Sequence, residues 1–215
     1  MAGAAATHAS ANGASTPYPE SRLIFSDDSD VTLDSLETGK AYIFSYPYRT
    51  TPCFLVRLAS SAPGQGSWPG GLGKDQSVVA FSAICSHKMS HPAKPISHIS
   101  YRSEPISFYD SSGTRQTREG VISCCSERSV YEPAQAAAVL SGPAPVPLAA
   151  ITLQNDDQGR LSAVGSVGPD QYDRFLTKFG FRLAMEYGVT DVRARSPDTV
   201  EVVPADTFSQ QQVLC

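Results

Sequence analysis

Apolar residues occur along this chain in short runs of the kind that form β-strands. Clusters of Gly, Pro, Asn, Asp and Ser separate the runs, and these residue types favour turns. Few stretches show helical periodicity. The strands predicted in this way cover residues 41–44, 53–58, 77–82, 96–101, 105–109, 120–123, 148–153 and 160–164. The pattern predicts an all-β fold with many turns.

Three further segments follow from the same pattern. Residues 155–159 are all turn formers and predict a hairpin between the last two strands. Residues 60–76 are rich in Gly and Pro and predict a loop. Residues 200–204 predict one last edge strand, which ends at Pro204 because proline lacks the N–H that a ladder needs.

One segment, residues 170–187, has the periodicity of a helix. Its apolar side chains recur every three or four residues, at Tyr172, Phe175, Leu176, Phe179 and Leu183. Asp170 is placed to cap its first turn, and Gly188 is placed to end it. We interpret the aromatic stripe as the face that docks on the sheet rather than as a cofactor site.

The N-terminal residues carry no recognisable targeting signal. Residues 1–19 are mostly Ala, Ser, Gly and Pro, with no Lys or Arg. A secretory signal needs a basic start and an apolar core, and a twin-arginine signal needs paired arginines. The composition predicts a disordered tail over residues 1–31 and, by default, a cytoplasmic location.

Length and charge narrow the class of protein. The 215 residues suit one domain with a tail. The 17 basic and 21 acidic residues give a net charge of −4, which argues against a nucleic-acid binder that neutralises phosphates. No apolar stretch approaches the roughly 18 residues of a membrane-spanning helix, so no membrane span is predicted.

The five cysteines form a poor disulfide framework because their number is odd. Cys53 is expected in the core and Cys215 as a free thiol, and strand alternation points Cys124 and Cys125 in opposite directions. The placement of the others indicates metal chemistry instead. Cys85 begins a Cys-Ser-His motif after one predicted strand, and the Cys124–Cys125 pair follows another. We call residues 85–91 the first loop and residues 124–131 the second loop.

A proline-rich loop follows these two loops, with the sequence Ser-Gly-Pro-Ala-Pro-Val-Pro-Leu over residues 141–148. A Cys-x-His loop, a second cysteine loop about forty residues on and a proline-rich loop together resemble the Rieske iron–sulfur domain. The resemblance covers roughly residues 38–166. Within the Rieske family, the chain most resembles the Rieske subunits of cytochrome bc complexes and arsenite oxidases. It implies a [2Fe–2S] cluster in which two Cys bind one iron and two His bind the other.

The resemblance also assigns roles to individual residues. Cys85 and His87 match the ligands of the first loop, and Cys125 matches the second cysteine when the spacing is counted back from Ser129 and Tyr131. Those two residues match a Ser and a Tyr that donate hydrogen bonds to cluster sulfur and to a Cys ligand. The second loop is one residue shorter than usual. Gly142 and Pro143 belong to the proline-rich loop that shields the cluster in that family.

The second loop departs from the family pattern at the fourth ligand. The residue three positions after Cys125 is Arg128, and the residue three positions after Cys124 is Glu127, so neither count finds a histidine. A guanidinium has no free lone pair and is a very poor iron ligand. The fourth ligand is therefore open among Cys124, Glu127, His91, Arg128 by exception, or no residue at all.

A disulfide braces the two loops in many cytochrome bc members, and it is also absent. Its expected positions hold Ser90 and Glu127. Both departures bear on whether a cluster is bound.

These observations predict a Rieske-like antiparallel β-sandwich over residues 32–166. A cluster-binding subdomain is inserted at about 82–148, and a C-terminal helical extension covers 167–215. The implied function is one-electron transfer between a donor and a redox partner protein or complex, with His87 at the exposed edge. Such a protein is a component of an oxidoreductase system rather than a stand-alone enzyme.

Three alternatives remain beside this interpretation. The Rieske fold without a cluster would serve as a docking subunit. Cys85, His87, Cys124 and Cys125 would form a four-ligand zinc set. A Cys–His nucleophilic enzyme is disfavoured, because no orienting Asn or Asp and no nucleophile elbow stand out.

Overall fold

The computed structural model describes residues 13–215, and most of its regular structure is β-strand. The strands are β1 Ser15–Ile24, β2 Ala41–Ser45, β3 Pro52–Arg57, β4 Pro63–Gln65, β5 Trp68–Gly70, β6 Val78–Ser82, β7 Ile99–Arg102, β8 Ile106–Tyr109, β9 Arg115–Arg118, β10 Val121–Cys124, β11 Ser129–Glu132, β12 Ala138–Ser141, β13 Ala150–Asn155, β14 Leu161–Val167, β15 Thr199–Glu201 and β16 Val203–Pro204. The helices are α1 Tyr172–Tyr187 and α2 Ala205–Phe208, and a 3₁₀ turn spans Pro133–Gln135.

Eight strands form one large sheet in the order β15-β1-β14-β13-β6-β3-β2-β16. Its two edge strands, β15 and β16, are separated in the chain only by Val202. The backbone N–H of Val202 donates to the carbonyl of Ile24, 2.7 Å away. The two edges of the sheet therefore meet, and the sheet is nearly closed into a barrel.

A smaller sheet has the order β12-β11-β10-β7 and packs on the outside of the large one. The large sheet is packed on both faces, and alternate residues of a strand point to opposite faces. In β3, Cys53 and Leu55 belong to one core cluster, inside the large sheet, whereas Phe54 and Val56 belong to the core shared with the small sheet. A nearly continuous apolar run is the result.

The small sheet arises from the chain between β6 and β13. The first loop follows β6, and the second loop joins β10 to β11. The two loops that carry the candidate ligands thus lie at strand ends. Hydrogen bonds within the sheets fix the positions of these ends, so the loop side chains remain available for ligand binding.

Helix α1 follows the predicted apolar pattern and ends at Gly188 as predicted, but its N-cap is Gln171 rather than Asp170. The backbone N–H of Tyr172 donates to Asp170 Oδ1 at 3.3 Å, and Gly188 ends the helix in the left-handed conformation at φ 63°. The buried face of the helix packs on Ile84 and Met89, at the base of the first loop. The helix therefore supports the candidate site from below.

The predicted fold class, all-β with a C-terminal helix, is confirmed. The expectation of a disordered tail over residues 1–31 is wrong for residues 15–24, which form β1; residues 1–12 lie outside the described residues. β1 has few apolar residues, and its pairing with β14 and β15 decides its structure. The expected loop over residues 60–76 contains the small hairpin β4–β5, and β11 and β12 are also strands that the apolar pattern missed.

Within the part of the chain that the structure describes, no helix has the length and apolar character needed to cross a membrane.

Candidate metal centre

The first loop is a tight turn that presents Cys85 to the interior. The N–H of Cys85 donates to the carbonyl of Ser90, and the N–H of Met89 donates to the carbonyl of Cys85, both at 2.9 Å. Met89 adopts a left-handed backbone at φ 63° to close the turn. Cys85 is 1 % exposed, so its thiol faces protein rather than water.

The second loop contains a four-residue turn between β10 and β11. Cys124 pairs with Ser129 across the ladder, which leaves residues 125–128 as the turn. Arg128 closes the turn in the left-handed conformation at φ 58°. The N–H of Cys125 donates to the carbonyl of His98 at 2.7 Å and ties the turn to the chain before β7.

The structure brings Cys85 together with Cys124. The hydrogen bond from Cys124 lowers the pKa of the Cys85 thiol, and a hydrogen bond with the Tyr131 hydroxyl, 3.2 Å from Cys85 Sγ, acts in the same direction. The pKa of Cys124 is raised, first by its hydrogen bond to Cys85 and then by burial. Cys85 is therefore the sulfur that holds negative charge more readily.

Two cysteine sulfurs in hydrogen-bonding contact can bind one metal ion together. Two thiolates on a tetrahedral metal at a metal–sulfur distance of about 2.3 Å lie about 3.8 Å apart, which is also the range of a sulfur hydrogen bond. Both side chains are buried, with Cys124 at 0 % exposure. The pair fits the two-cysteine end of a [2Fe–2S] cluster.

Cys125, the cysteine matched to the cluster from the sequence, lies elsewhere. Its sulfur forms a disulfide with Cys215, which also corrects the expectation that Cys215 is a free thiol. Strand alternation is the reason: Cys124 shares a face with Ile122, which pairs with Tyr131, so Cys125 points to the other side.

A C-terminal segment, residues 209–215, leads to this disulfide and lies along the chain before β7. The N–H of Gln210 donates to the carbonyl of Lys94, that of Ser97 to Gln211, and that of Val213 to Ser97, each at 2.8 Å. We call residues 209–215 the C-terminal strap. The strap joins the second loop to the segment that follows the first.

His87 follows Cys85 in the first loop, and Glu127 follows Cys124 in the second. Among the described residues, the Nδ1 atom of His87 is buried and has no hydrogen-bond partner. Lys88 Nζ is 2.6 Å from Glu127 Oε1 and joins the two loops. The hydrogen bond from Lys88 lowers the pKa of Glu127, and the charges of Lys88 and His87 act in the same direction. The ion pair therefore brings the Glu127 carboxylate to the residue next to His87.

The other two fourth-ligand candidates face different surroundings. Arg128 lines a cavity of about 460 Å³ together with Ile106, Phe108 and Cys215. The ring of His91 lies against Phe175 and Phe179 of α1, with centroids 4.7 Å and 5.1 Å away, and its Nδ1 is 2.9 Å from the Met89 carbonyl. His91 thus belongs to the support beneath the loop.

The proline-rich loop contacts both ligand loops. Ser86 Oγ donates to the carbonyl of Val146 at 2.7 Å. Gly142 lies so close to the second loop that a Cβ on it would be 2.5 Å from the carbonyl oxygen of Arg128. Pro143 beside it is exposed. The loop therefore covers the site where the two cysteine loops meet.

Two serine positions complete the site. Within the described chain, Ser129 Oγ is buried without a hydrogen-bond partner. Ser90 Oγ donates to Ser126 Oγ at 3.0 Å and links the two loops. The resemblance places the two ends of the absent disulfide at Ser90 and Glu127. In the structure, Ser90 contacts Ser126 instead of Glu127.

The zinc alternative lacks the required geometry. Within residues 13–215, no three His, Cys, Asp or Glu side chains converge on a point where one metal ion would sit. Cys125, the fourth member of that proposed set, is held in the disulfide. A two-iron cluster differs because each iron needs only two protein ligands.

Comparisons with known proteins find similarity to curated proteins and to solved structures. No protein-family model matches the chain. The chain is 38 % identical over 56 residues to the iodate reductase subunit IdrB of Pseudomonas sp. (strain SCT), a match that spans 26 % of each protein. The matched part is thus about a quarter of that relative's length.

Two solved structures also match. The soluble domain of Rieske protein II (soxF) from Sulfolobus acidocaldarius matches 71 % of this chain and 82 % of its own, with 24 % identity and a TM-score of 0.46. The quaternary ammonium Rieske monooxygenase CntA matches 81 % of this chain and 44 % of its own, with 14 % identity and a TM-score of 0.35. Both structures bear the name of the family that the loop motifs resemble.

Proposed function

We propose that this protein transfers single electrons through a [2Fe–2S] cluster held between the first and second loops. Cys85 and Cys124 would hold the inner iron, and His87 would be a ligand of the outer iron. The observation that carries the proposal is the buried pair of thiols in contact, beside a buried imidazole nitrogen that has no partner among the described residues.

The residues around the pair suit this role. When bound, the cluster supplies a one-electron couple whose potential depends on ligand type and on hydrogen bonds to sulfur. The Tyr131 hydroxyl is placed to donate to Cys85 Sγ, and it also accepts the N–H of Ser86 at 3.2 Å. The proline-rich loop limits access of water to the thiols. His87 is only half-buried and forms the edge for a redox partner.

Partner and location follow from two observations. The iodate reductase subunit is by its name one part of a reductase. We infer a similar role for this chain, as the electron-transfer component of an oxidoreductase system. The disulfide favours an oxidising compartment over the cytoplasm, because thiols stay reduced in the latter.

A second candidate function is docking by a Rieske-like fold without a cluster. It is favoured by the contacts that already join the two loops, Lys88 to Glu127 and Ser90 to Ser126. These contacts fix the loops relative to each other with no metal. In this case, the site is a rigid docking surface for a larger complex.

The two functions are separated by anaerobic reconstitution of the full chain with iron and sulfide. We expect about two irons and two sulfides per chain and a Rieske-like low average g value in the reduced protein. The Cys85→Ser and Cys124→Ser variants should lose the cluster, whereas Cys53→Ala should retain it. A wild-type protein that is folded by circular dichroism but free of iron would reject electron transfer in favour of docking.

A further inference from the structure

We propose that Glu127 supplies the fourth ligand of the cluster, in the place that a second imidazole holds in a Rieske site. The inference rests on the proposed function. It assigns a mixed ligand pair, His87 and Glu127, to the outer iron. The sequence leaves this position open among Cys124, Glu127, His91, Arg128 and no residue. The contacts of the second loop favour Glu127.

The other candidates have contacts of a different kind. Cys124 is taken by its contact with Cys85, and Arg128 lines the cavity on the side of Ile106 and Phe108. His91 is enclosed by the aromatic rings of α1. Of the residues named from the sequence, Glu127 alone has a side chain that reaches the residue next to His87.

The position of Glu127 in the turn also suits a ligand. It lies within the four-residue turn that begins after Cys124, so the same loop offers a thiol at one end and a carboxylate near the other. Lys88 takes Oε1 at 2.6 Å, and among the described residues no group donates to Oε2. One carboxylate oxygen is therefore available to a metal ion.

The contact with Lys88 does not prevent this role. The Lys88 side chain is 61 % exposed and that of Glu127 29 % exposed, so water screens the pair and its net contribution is small. A carboxylate can accept from Lys88 through one oxygen and bind a metal through the other. Lys88 would then orient the ligand in the way that outer hydrogen bonds orient metal-bound carboxylates.

The chemistry has a direct consequence for the redox couple. A carboxylate is an anionic oxygen donor, and it replaces a neutral imidazole in this position. The extra negative charge favours the oxidised, more positive state of the iron. We therefore expect a lower reduction potential in the wild-type protein than in a variant with histidine at this position.

The test is pulsed EPR on the reduced, reconstituted full chain, which counts the imidazole nitrogens bound to iron. We expect one strongly coupled histidine in the wild type and two in Glu127→His, with a positive shift in potential. Glu127→Gln should lose iron to a chelator about tenfold faster than the wild type, by analogy with the loss of supporting ligand contacts. Circular dichroism confirms that each variant is folded.

Arg128→His is the matched control, because it places the same imidazole one residue further along the turn. Its nitrogen count should remain at one. If Arg128→His gains the second nitrogen and Glu127→His does not, the assignment of Glu127 is wrong while electron transfer stands. If Glu127→Gln has the spectrum and iron retention of the wild type, Glu127 is not a ligand. An iron-free wild type rejects both proposals together.

Discussion

At the scale of single residues, Gly142 is where the proline-rich loop touches the second loop. It adopts φ 85°, and an added Cβ would lie 2.5 Å from Arg128 O and 2.6 Å from Ser129 Cα. Both atoms are backbone and have little room to move. We expect Gly142→Ala to lower the free energy of unfolding by about 3 kcal/mol, from left-handed strain and overpacking together, measured by urea denaturation.

Gly159 provides the matched control for this substitution. It has a similar φ of 78°, but nothing lies within 4 Å of an added Cβ. Gly159→Ala therefore reports the backbone strain alone, and we expect a loss of about 1 kcal/mol. Equal losses in the two variants would mean that the proline-rich loop does not press on the second loop.

His91 makes stability depend on pH. Burial lowers its pKa from the ordinary value of 6.5, so the folded protein keeps the ring neutral where the unfolded chain becomes charged. The unfolded state then binds more protons, and stability decreases as pH falls below about 6.5 until the lower folded pKa is reached. Nearby Arg182 favours the same shift, whereas Glu186 opposes it.

The measurement is urea denaturation of the wild type and of His91→Gln between pH 7.5 and pH 5. We expect part of the acid destabilisation to disappear in the variant, because its amide does not titrate. All other titratable groups are shared by the two proteins, so the difference between their pH profiles isolates His91. Parallel pH profiles would show that His91 is not buried neutral beneath the loop.

At the scale of elements, the C-terminal strap is held to the second loop by the Cys125–Cys215 disulfide. The cross-link closes a loop of 90 residues. In the chain-entropy model, such a loop stabilises the fold by up to about 4.6 kcal/mol. We expect the Cys125→Ser/Cys215→Ser double variant to have a free energy of unfolding a few kcal/mol lower than the wild type, measured by urea denaturation. Its circular dichroism spectrum should be unchanged.

Reductant provides the control for that variant. Dithiothreitol should destabilise the wild type by a similar amount and leave the double variant unaffected. A wild type whose unfolding is insensitive to dithiothreitol would contradict the cross-link. Helix α1 packs on Ile84 and Met89 without using the strap, so the support beneath the first loop should survive in either case.

At the scale of the whole molecule, the two sheets share one core. Phe54 and Phe81 of the large sheet and Ile122 of the small sheet belong to the same buried cluster, as does Trp68, the only tryptophan in the sequence. Sheets that share a core should unfold together. We expect tryptophan fluorescence and far-UV circular dichroism to report the same urea midpoint.

The variant Ile122→Ala tests whether the two sheets unfold together. It should shift both midpoints equally, with a loss of about 2–5 kcal/mol for truncation of a fully buried side chain. Phe181→Ala is the surface control, since Phe181 is 83 % exposed, and it should change little. Separate transitions in fluorescence and circular dichroism would show that the small sheet is an independent unit.

The strands with strong apolar runs, helix α1 and the three loops can be predicted from the sequence. Buried strands such as β3 and β6 carry their apolar residues locally, and α1 has both its periodicity and its terminal Gly188 in one short segment. Cys85 and the proline-rich loop were also found by motif. Such features are local, because each depends on residues close together in the chain.

The cysteine that meets Cys85 can be identified only from the packing of the folded chain. Two adjacent cysteines look alike in a motif, but a one-residue shift turns a side chain to the opposite face of a strand. Pairing of Ile122 with Tyr131 selects Cys124 and leaves Cys125 to a partner 90 residues away. β1 became a strand for a similar reason, since its partner β14 lies far along the chain. Contacts between distant segments set these outcomes, and no local pattern contains them.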